Sequence, residues 1–233
     1  MKTSKAYWFV VMSPVEKVVE VTRKGEEVEK KYDWVKAAEL YEQALGVVRK
    51  RDLLRKGEIQ EKIGYCLHRS AMQAESREEF KEKMQEAIEV YEKAYGFYGK
   101  LMDERKTARM FRCKAIAKYF GYWLTSVPSE KRKLLDECLE LEDKALEGFL
   151  KSGDMLEYGK TYNELPMVFF YRGHLEWDRQ TLKSIVERGL EWGEKAVAAL
   201  SELGNLHEVA KAYLTLATCS YFLEYCFIAE PEE

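Results

Sequence analysis

Residues 36–45 read KAAELYEQAL and residues 86–95 read EAIEVYEKAY. In both, a small residue, a tyrosine and a second small residue recur at helical spacing: Ala37, Tyr41 and Ala44 in the first, Ala87, Tyr91 and Ala94 in the second. Such spacing lays one stripe along a helix, with small residues that let a second helix approach closely. Looser copies follow at 137–146, ECLELEDKAL, and at 188–197, RGLEWGEKAV. Their stripe positions hold Cys138, Glu142 and Ala145, then Gly189, Gly193 and Ala196. The leading residues Ala37, Ala87, Cys138 and Gly189 stand 50, 51 and 51 residues apart, which is the mark of an internal helical repeat.

A second series lies between these copies: Ile63-Gly64, Ile116-Ala117, Leu165-Pro166 and Leu216-Ala217, separated at their second residues by 53, 49 and 51. Two interleaved series with one period mean a two-helix repeat. Helix boundary signals agree. Ser13-Pro14 with Glu16 reads as an N-cap, a first-turn proline and a capping box; Ser76 with Glu79, Ser129 beside Pro128, Asp154 after Gly153, and Asn205 with Glu208 mark other starts. The partition predicts nine helices, over 14–31, 33–51, 55–74, 77–100, 104–125, 129–151, 154–172, 176–202 and 205–228. Paired, they form repeats 14–51, 55–100, 104–151 and 154–202, followed by a terminal helix 205–228, all within one domain of residues 1–233.

This pattern resembles the tetratricopeptide repeat family, which places a small residue in each of two helices with aromatics one or two turns away. Tyr32-Asp33-Trp34 followed by KAAELYEQAL looks like the turn and second helix of such a unit, and TYNELPMVFFYRGHLE like a first helix and turn. The resemblance covers residues 15–227. It implies an all-α fold, a right-handed α-solenoid of antiparallel helix pairs. The departure is length: the family unit is typically ~34 residues, so each unit here carries about 17 more, roughly two extra turns per helix plus longer connections.

Composition excludes several classes. Charged residues make up 34% and apolar ones 46%, which is too apolar for a disordered chain and too interrupted by charge for a membrane protein. The net charge of −3 gives no overall attraction to nucleic acid or anionic lipid, although Arg49-Lys50-Arg51 and the stretch from Arg105 to Lys114 are locally basic. Cys66, Cys113, Cys138, Cys219 and Cys226 form no CxxC pair and fall within apolar helical patterns, as reduced core residues of a cytoplasmic protein do. The apolar run Ala6–Met12 is too short to span a bilayer and is expected to pack on the first helices.

Catalytic signatures are missing. His68, His174 and His207 have no Glu three residues before them, and HEVAK lacks the second histidine of a zinc protease helix, so no metal site is expected. Without a phosphate loop, a nucleophile elbow or a dinucleotide fingerprint, no cofactor and no enzyme activity is expected. Pro166 stands inside a predicted helix and should bend it.

The resemblance implies that the first helix of each unit lines a concave groove. Positions transferred around the small-residue marks are Tyr65 and Arg69, then Lys114, Lys118 and Tyr122, then Lys160, Asn163, Phe170 and Tyr171, and finally Lys211 and Tyr221. Aromatics mixed with cations suit a protein segment that carries apolar anchors and carboxylates. The expected function is therefore an interaction scaffold for a peptide or helix, with a sensory array or a nucleic-acid-binding repeat as alternatives. The terminal helix, apolar on more than one face, is a route to self-association.

Overall fold

The computed structural model describes residues 12–101 and 103–227, which form nine α-helices and no strand. They are α1 (Pro14–Glu29), α2 (Trp34–Val47), α3 (Leu53–Ala71), α4 (Arg77–Tyr98), α5 (Glu104–Leu124), α6 (Pro128–Ser152), α7 (Met155–Gly173), α8 (Arg179–Glu202) and α9 (Leu206–Phe227). Residues 6–11 of the apolar run, residue 228 of the predicted terminal helix and the side chain of Cys226 lie outside what is described.

Most boundaries follow from side-chain caps. Ser13 and Glu16 close a reciprocal capping box at α1. Asp33, Asp52, Ser76, Asp103, Asp154 and Asp178 each accept a hydrogen bond from the backbone N–H three residues on, satisfying a donor that the first turn leaves open. Gly153 ends α6 at φ 71, a left-handed conformation that suits glycine, and the next residue begins the cap of α7. α6 differs from expectation: Val127 is its N-cap and makes no side-chain bond, because Pro128 already occupies the first helical position and Ser129 lies inside the turn.

Each helix packs on the next in sequence, and α7 also contacts α9. The α3·α4 register is antiparallel: a Cβ placed on Gly64 would stand 2.6 Å from the Tyr91 ring, and one on Gly57 would stand 2.7 Å from the Tyr98 ring. A step of seven residues down one helix is thus met by seven up the other. In α7·α8 the same two places are held by Pro166 against Gly193 and by Gly159 against Leu200. Bulk has changed sides at the first of these contacts, since the proline replaces the glycine and the glycine replaces the tyrosine.

The core is distributed along the chain. Trp34, Ala37, Tyr41 and Ile63 bury one cluster; Met84, Ala87, Tyr98, Cys113 and Phe120 a second; Leu135, Cys138 and Val168 a third; Leu165, Phe169, Ala196 and Leu200 a fourth. Cys66, Cys113, Cys138 and Cys219 are buried free thiols.

The period is more regular than the sequence marks indicate. Gly64, Ala115, Pro166 and Ala217 are separated by 51 residues throughout, as are Gly57, Ala108, Gly159 and Ala210. Ala115 packs with Leu135 and Cys138 of α6, whereas Ala117, the mark read from sequence, packs toward Tyr91 of α4. In the third unit the equivalents therefore sit two residues earlier, a rotation of about 200° around the helix.

Candidate functional site

The odd-numbered helices α3, α5 and α7 turn charged residues toward one another at equivalent places in the repeat, and α7 meets α9 through Asn163. One row is Glu58, Arg109, Lys160 and Lys211, and the next is Glu61, Arg112, Asn163 and Leu214. Arg109 Nε lies 3.1 Å from Glu61 and its Nη1 3.3 Å from Glu58, so α3 and α5 are tied by charge. Arg112 extends the ladder to α7 through Glu157 and Glu164, each at 2.6 Å. Lys160 then meets Glu157 at 3.0 Å.

Electrostatics here follow burial. Arg112 is 9% exposed, and Glu164 and Glu157 keep it firmly protonated despite the cost of desolvation. Burial works against ionisation of Glu157, yet Arg112, Lys160 and Arg109 together hold its carboxyl at about 2. Burial raises the Glu61 carboxyl, with Arg109 and Arg112 opposing and Tyr98 donating a hydrogen bond to it. Glu142 on α6 stands where the first two units hold Tyr41 and Tyr91; it is 2% exposed and its Oε2 has no partner among the described residues. Burial raises its carboxyl well above the usual range, the neighbouring Glu164 adds to this, and Arg112 counteracts it.

Beside the ladder is an aromatic cluster. Tyr119, Tyr122 and Trp123 of α5 surround Tyr171 of α7, with ring centroids 6.2, 5.3 and 5.0 Å from it. Phe170 packs on His174 and Phe222 at 4.2 and 4.7 Å, joining α7 to α9. His68 stacks on Phe120 at 4.3 Å, and burial, with Arg69 beside it, lowers its pKa to about 4.

Phe170 and Tyr171 are half-buried among these aromatics, and the other nine residues read from sequence fall into three groups. Tyr122 and Asn163 are buried, and Asn163 donates through Nδ2 to the Glu208 carbonyl at 3.4 Å. Lys114, Lys118 and Lys211 join Lys160 in ion pairs, with Glu92 at 2.5 Å, Glu137 at 2.5 Å and Glu208 at 3.0 Å. Lys114 and Lys118 point to Glu92 of α4 and Glu137 of α6; the residues of α5 at the places equivalent to Glu58 and Glu61 are Arg109 and Arg112, which were not among the residues read from sequence. Comparing Glu58 and Glu61 with residues 51 positions later finds them.

Tyr65, Arg69 and Tyr221 form the third group and reach the surface. Tyr65 is 37% exposed and meets Trp34 edge-on at 5.7 Å, while the Arg69 guanidinium lies over the same indole at 5.2 Å. Burial raises the Tyr65 phenol, and Lys211 of α9 is close enough for its charge to pull it back down. Groups from α3 and α9, at opposite ends of the odd-helix face, therefore share one electrostatic neighbourhood.

An open cleft of about 400 Å³ lies where α3 and α5 begin, lined by Glu58, Asp103, Arg105 and Arg109 among others. Among the described residues no group of three or more His, Cys, Asp or Glu is placed to hold a metal ion. No helix among them is long and apolar enough to cross a membrane.

No family model matches the chain, and no curated protein matches it. One solved structure, from computational design of self-assembling cyclic protein homooligomers, is similar over 91% of this chain and 94% of its own, at 10% identity and a TM-score of 0.39.

Proposed function

We propose that the chain is an interaction scaffold, a right-handed α-solenoid similar to tetratricopeptide repeats, that binds a protein segment on the face shared by α3, α5, α7 and α9. The observation that carries this reading is the pair Tyr65 and Arg69 at the surface of α3, an aromatic ring and a guanidinium set against Trp34, with the charge of Lys211 on α9 acting on the Tyr65 phenol. They suit a segment with an apolar anchor and a carboxylate. The ladder beneath them is held by its own ion pairs, so the face is preformed and little ordering is needed to bind. The same self-pairing favours recognition over catalysis, because the ionised groups are engaged with each other. Buried free thiols fit a reducing cytoplasm. We propose further that α9 associates with a helix from outside this fold.

The test of the groove is selection of peptides from a displayed library on the immobilised chain, repeated with Tyr65→Ala combined with Arg69→Glu. Peptides bearing an apolar residue near Asp or Glu should be enriched and should lose at least tenfold in affinity for the variant while its helicity is unchanged. No enrichment, or equal binding to both proteins, would sink the reading.

A further inference from the structure

The first hairpin is shorter than the others at one end. Counted back from the equivalent stripe residues Ala87, Cys138 and Gly189, helices α4, α6 and α8 each begin ten residues earlier, whereas α2 begins three residues before Ala37. Two turns, about 10 Å of helix, are therefore absent from the start of α2. Elsewhere those turns cover the ends of neighbouring odd helices. Phe80 of α4 meets Trp123 of α5 edge-on at 6.5 Å, Arg132 of α6 donates to the Leu175 carbonyl beyond α7 at 2.8 Å, and Leu182 of α8 stands 2.9 Å from a Cβ placed on Gly173. In the first unit the end of α3 stays open: Tyr65, Arg69 and Met72 are exposed, Met72 at 45%. Their equivalents 51 residues later are Ile116, Phe120 and Trp123, all packed into the second core cluster.

We propose that this notch seats an amphipathic helical segment of a partner protein, about two turns long, with an apolar residue against Tyr65 and Met72 and a carboxylate paired with Arg69. The inference rests on the reading of Tyr65 and Arg69 as a binding surface and adds the form of the segment. A helix fits because a helix fills the equivalent place in the other three units. Charge selects an acidic one. The Arg69 guanidinium lies over the Trp34 indole and pairs with no carboxylate among the described residues, and Lys30 and Lys31 are exposed in the turn that leads into α2. The nearby acids are engaged, Asp33 as the N-cap of α2 and Glu29 as acceptor from the Tyr41 hydroxyl. The same cations repel a cationic ligand, which aromatic rings alone would accept.

The floor of the notch carries a second mark. Tyr32 stands edge-on to Trp34 at 5.8 Å, is 67% exposed and has φ 61, the one non-glycine residue in the left-handed region among those described. Two other helix ends make the same turn, in which the next residue donates to the carbonyl five positions back: Asp154 to Phe149 at 2.9 Å and Asn205 to Leu200 at 3.4 Å, as Asp33 does to Val28 at 3.4 Å. Both place glycine, Gly153 and Gly204, where the first unit has Tyr32. Tyrosine strains the backbone there and its ring buries little, which points to a use outside the fold.

The probe is a displayed library of peptides of about nine residues held helical by a side-chain bridge one turn long, selected on the full chain beside a matching unbridged library with a central proline. Helical peptides with an apolar residue and Asp or Glu on one face should be enriched, and the proline should lower their affinity at least tenfold. Met72→Glu and Arg69→Glu should each weaken binding at least tenfold with helicity unchanged, and a peptide with Lys in place of its acid should bind the Arg69→Glu protein better than the wild type. Tyr32→Gly should raise the urea midpoint while weakening binding. Proline peptides that bind as well, yet are lost with Tyr65→Ala and Arg69→Glu, would leave the groove reading standing and overturn the helical seat. Indifference to Met72→Glu, or a lower urea midpoint for Tyr32→Gly with binding intact, would overturn it too. No enrichment from either library would sink the groove reading with it. A dimer in sedimentation that Met72→Glu dissolves would give the notch to a second copy instead, and binding gained only with Trp8→Ser and Phe9→Ser would give it to the apolar run Ala6–Met12.

Discussion

Gly64 on α3 lies directly beneath the ring of Tyr91 on α4, with the space a Cβ would take only 2.6 Å from ring carbon Cε2. Tyr91 is 5% exposed and has Phe120 edge-on at 5.7 Å behind it, so the ring has little room to retreat. Gly64→Ala should therefore cost about 1–3 kcal/mol through overpacking, although alanine is the better helix former. Gly96 on α4 has nothing within 4 Å of its Cβ position, and Gly96→Ala should stabilise by about 0.5–1 kcal/mol. Urea unfolding of both variants checks the contrast; like signs would mean that helix propensity, not the close contact, governs these positions.

Glu142 is a buried carboxyl with an unpartnered oxygen, in the place where tyrosine sits in the first two units. Its folded pKa is raised above the usual 4.5, so it binds a proton that the unfolded chain releases. The resulting stability is complete below about pH 4.5 and is lost as pH rises from there toward the folded value. Glu142→Met removes both the unpartnered group and this dependence. It should stabilise by about 1–3 kcal/mol at pH 7 and by less at pH 4. Chemical denaturation at the two pH values measures the difference, and an equal effect at both would mean that Glu142 is not held protonated.

Arg112 bridges Glu157 and Glu164 from a nearly buried position. Arg112→Met leaves the Glu157 carboxylate without its main partner and should cost about 3–5 kcal/mol at pH 7. The folded pKa of Glu157, at about 2, lies below its usual 4.5. Stability from this pair is therefore present above pH 4.5 and lost as pH falls toward 2, and the variant should show a smaller acid loss. Stability curves at pH 7 and pH 3 for both proteins would reveal it.

His68 keeps a neutral ring against Phe120, with its pKa lowered from 6.5 to about 4. Between those values the unfolded chain takes up a proton that the folded one refuses. Its contribution is therefore intact above about pH 6.5 and is lost as pH falls to 4, amounting to up to about 3 kcal/mol. His68→Phe should flatten that part of the pH–stability profile, measured as the difference between variant and wild type. An unchanged profile would place the His68 ring in contact with water.

The helices were legible because their signals are local. Ser13, Ser76 and Asp154 cap the residues three positions on, and Ala37, Tyr41 and Ala44 mark a face without reference to other helices. The site was legible only in part, because side-chain partners depend on how helices are rotated against each other. Reading Ala117 instead of Ala115 as the third mark shifted the expected positions by two residues, enough to select Lys114 and Lys118, which pair with Glu92 of α4 and Glu137 of α6, and to pass over Arg109 and Arg112. Tyr122 is another such case, since its burial comes from Tyr171 on α7 and from Lys131 over its ring, both remote in sequence or on another helix.

Helix-to-next-helix packing also bears on how the chain acquires its structure. Nearly every large contact joins residues within one or two helices of each other, so little loop entropy is spent before favourable contacts form, and folding should be fast for a chain of this length. The same locality weakens cooperativity across the chain. Amide protons of α3 to α6, supported on both sides, should exchange with solvent more slowly than those of α1 and α9, and opening should spread inward from the ends.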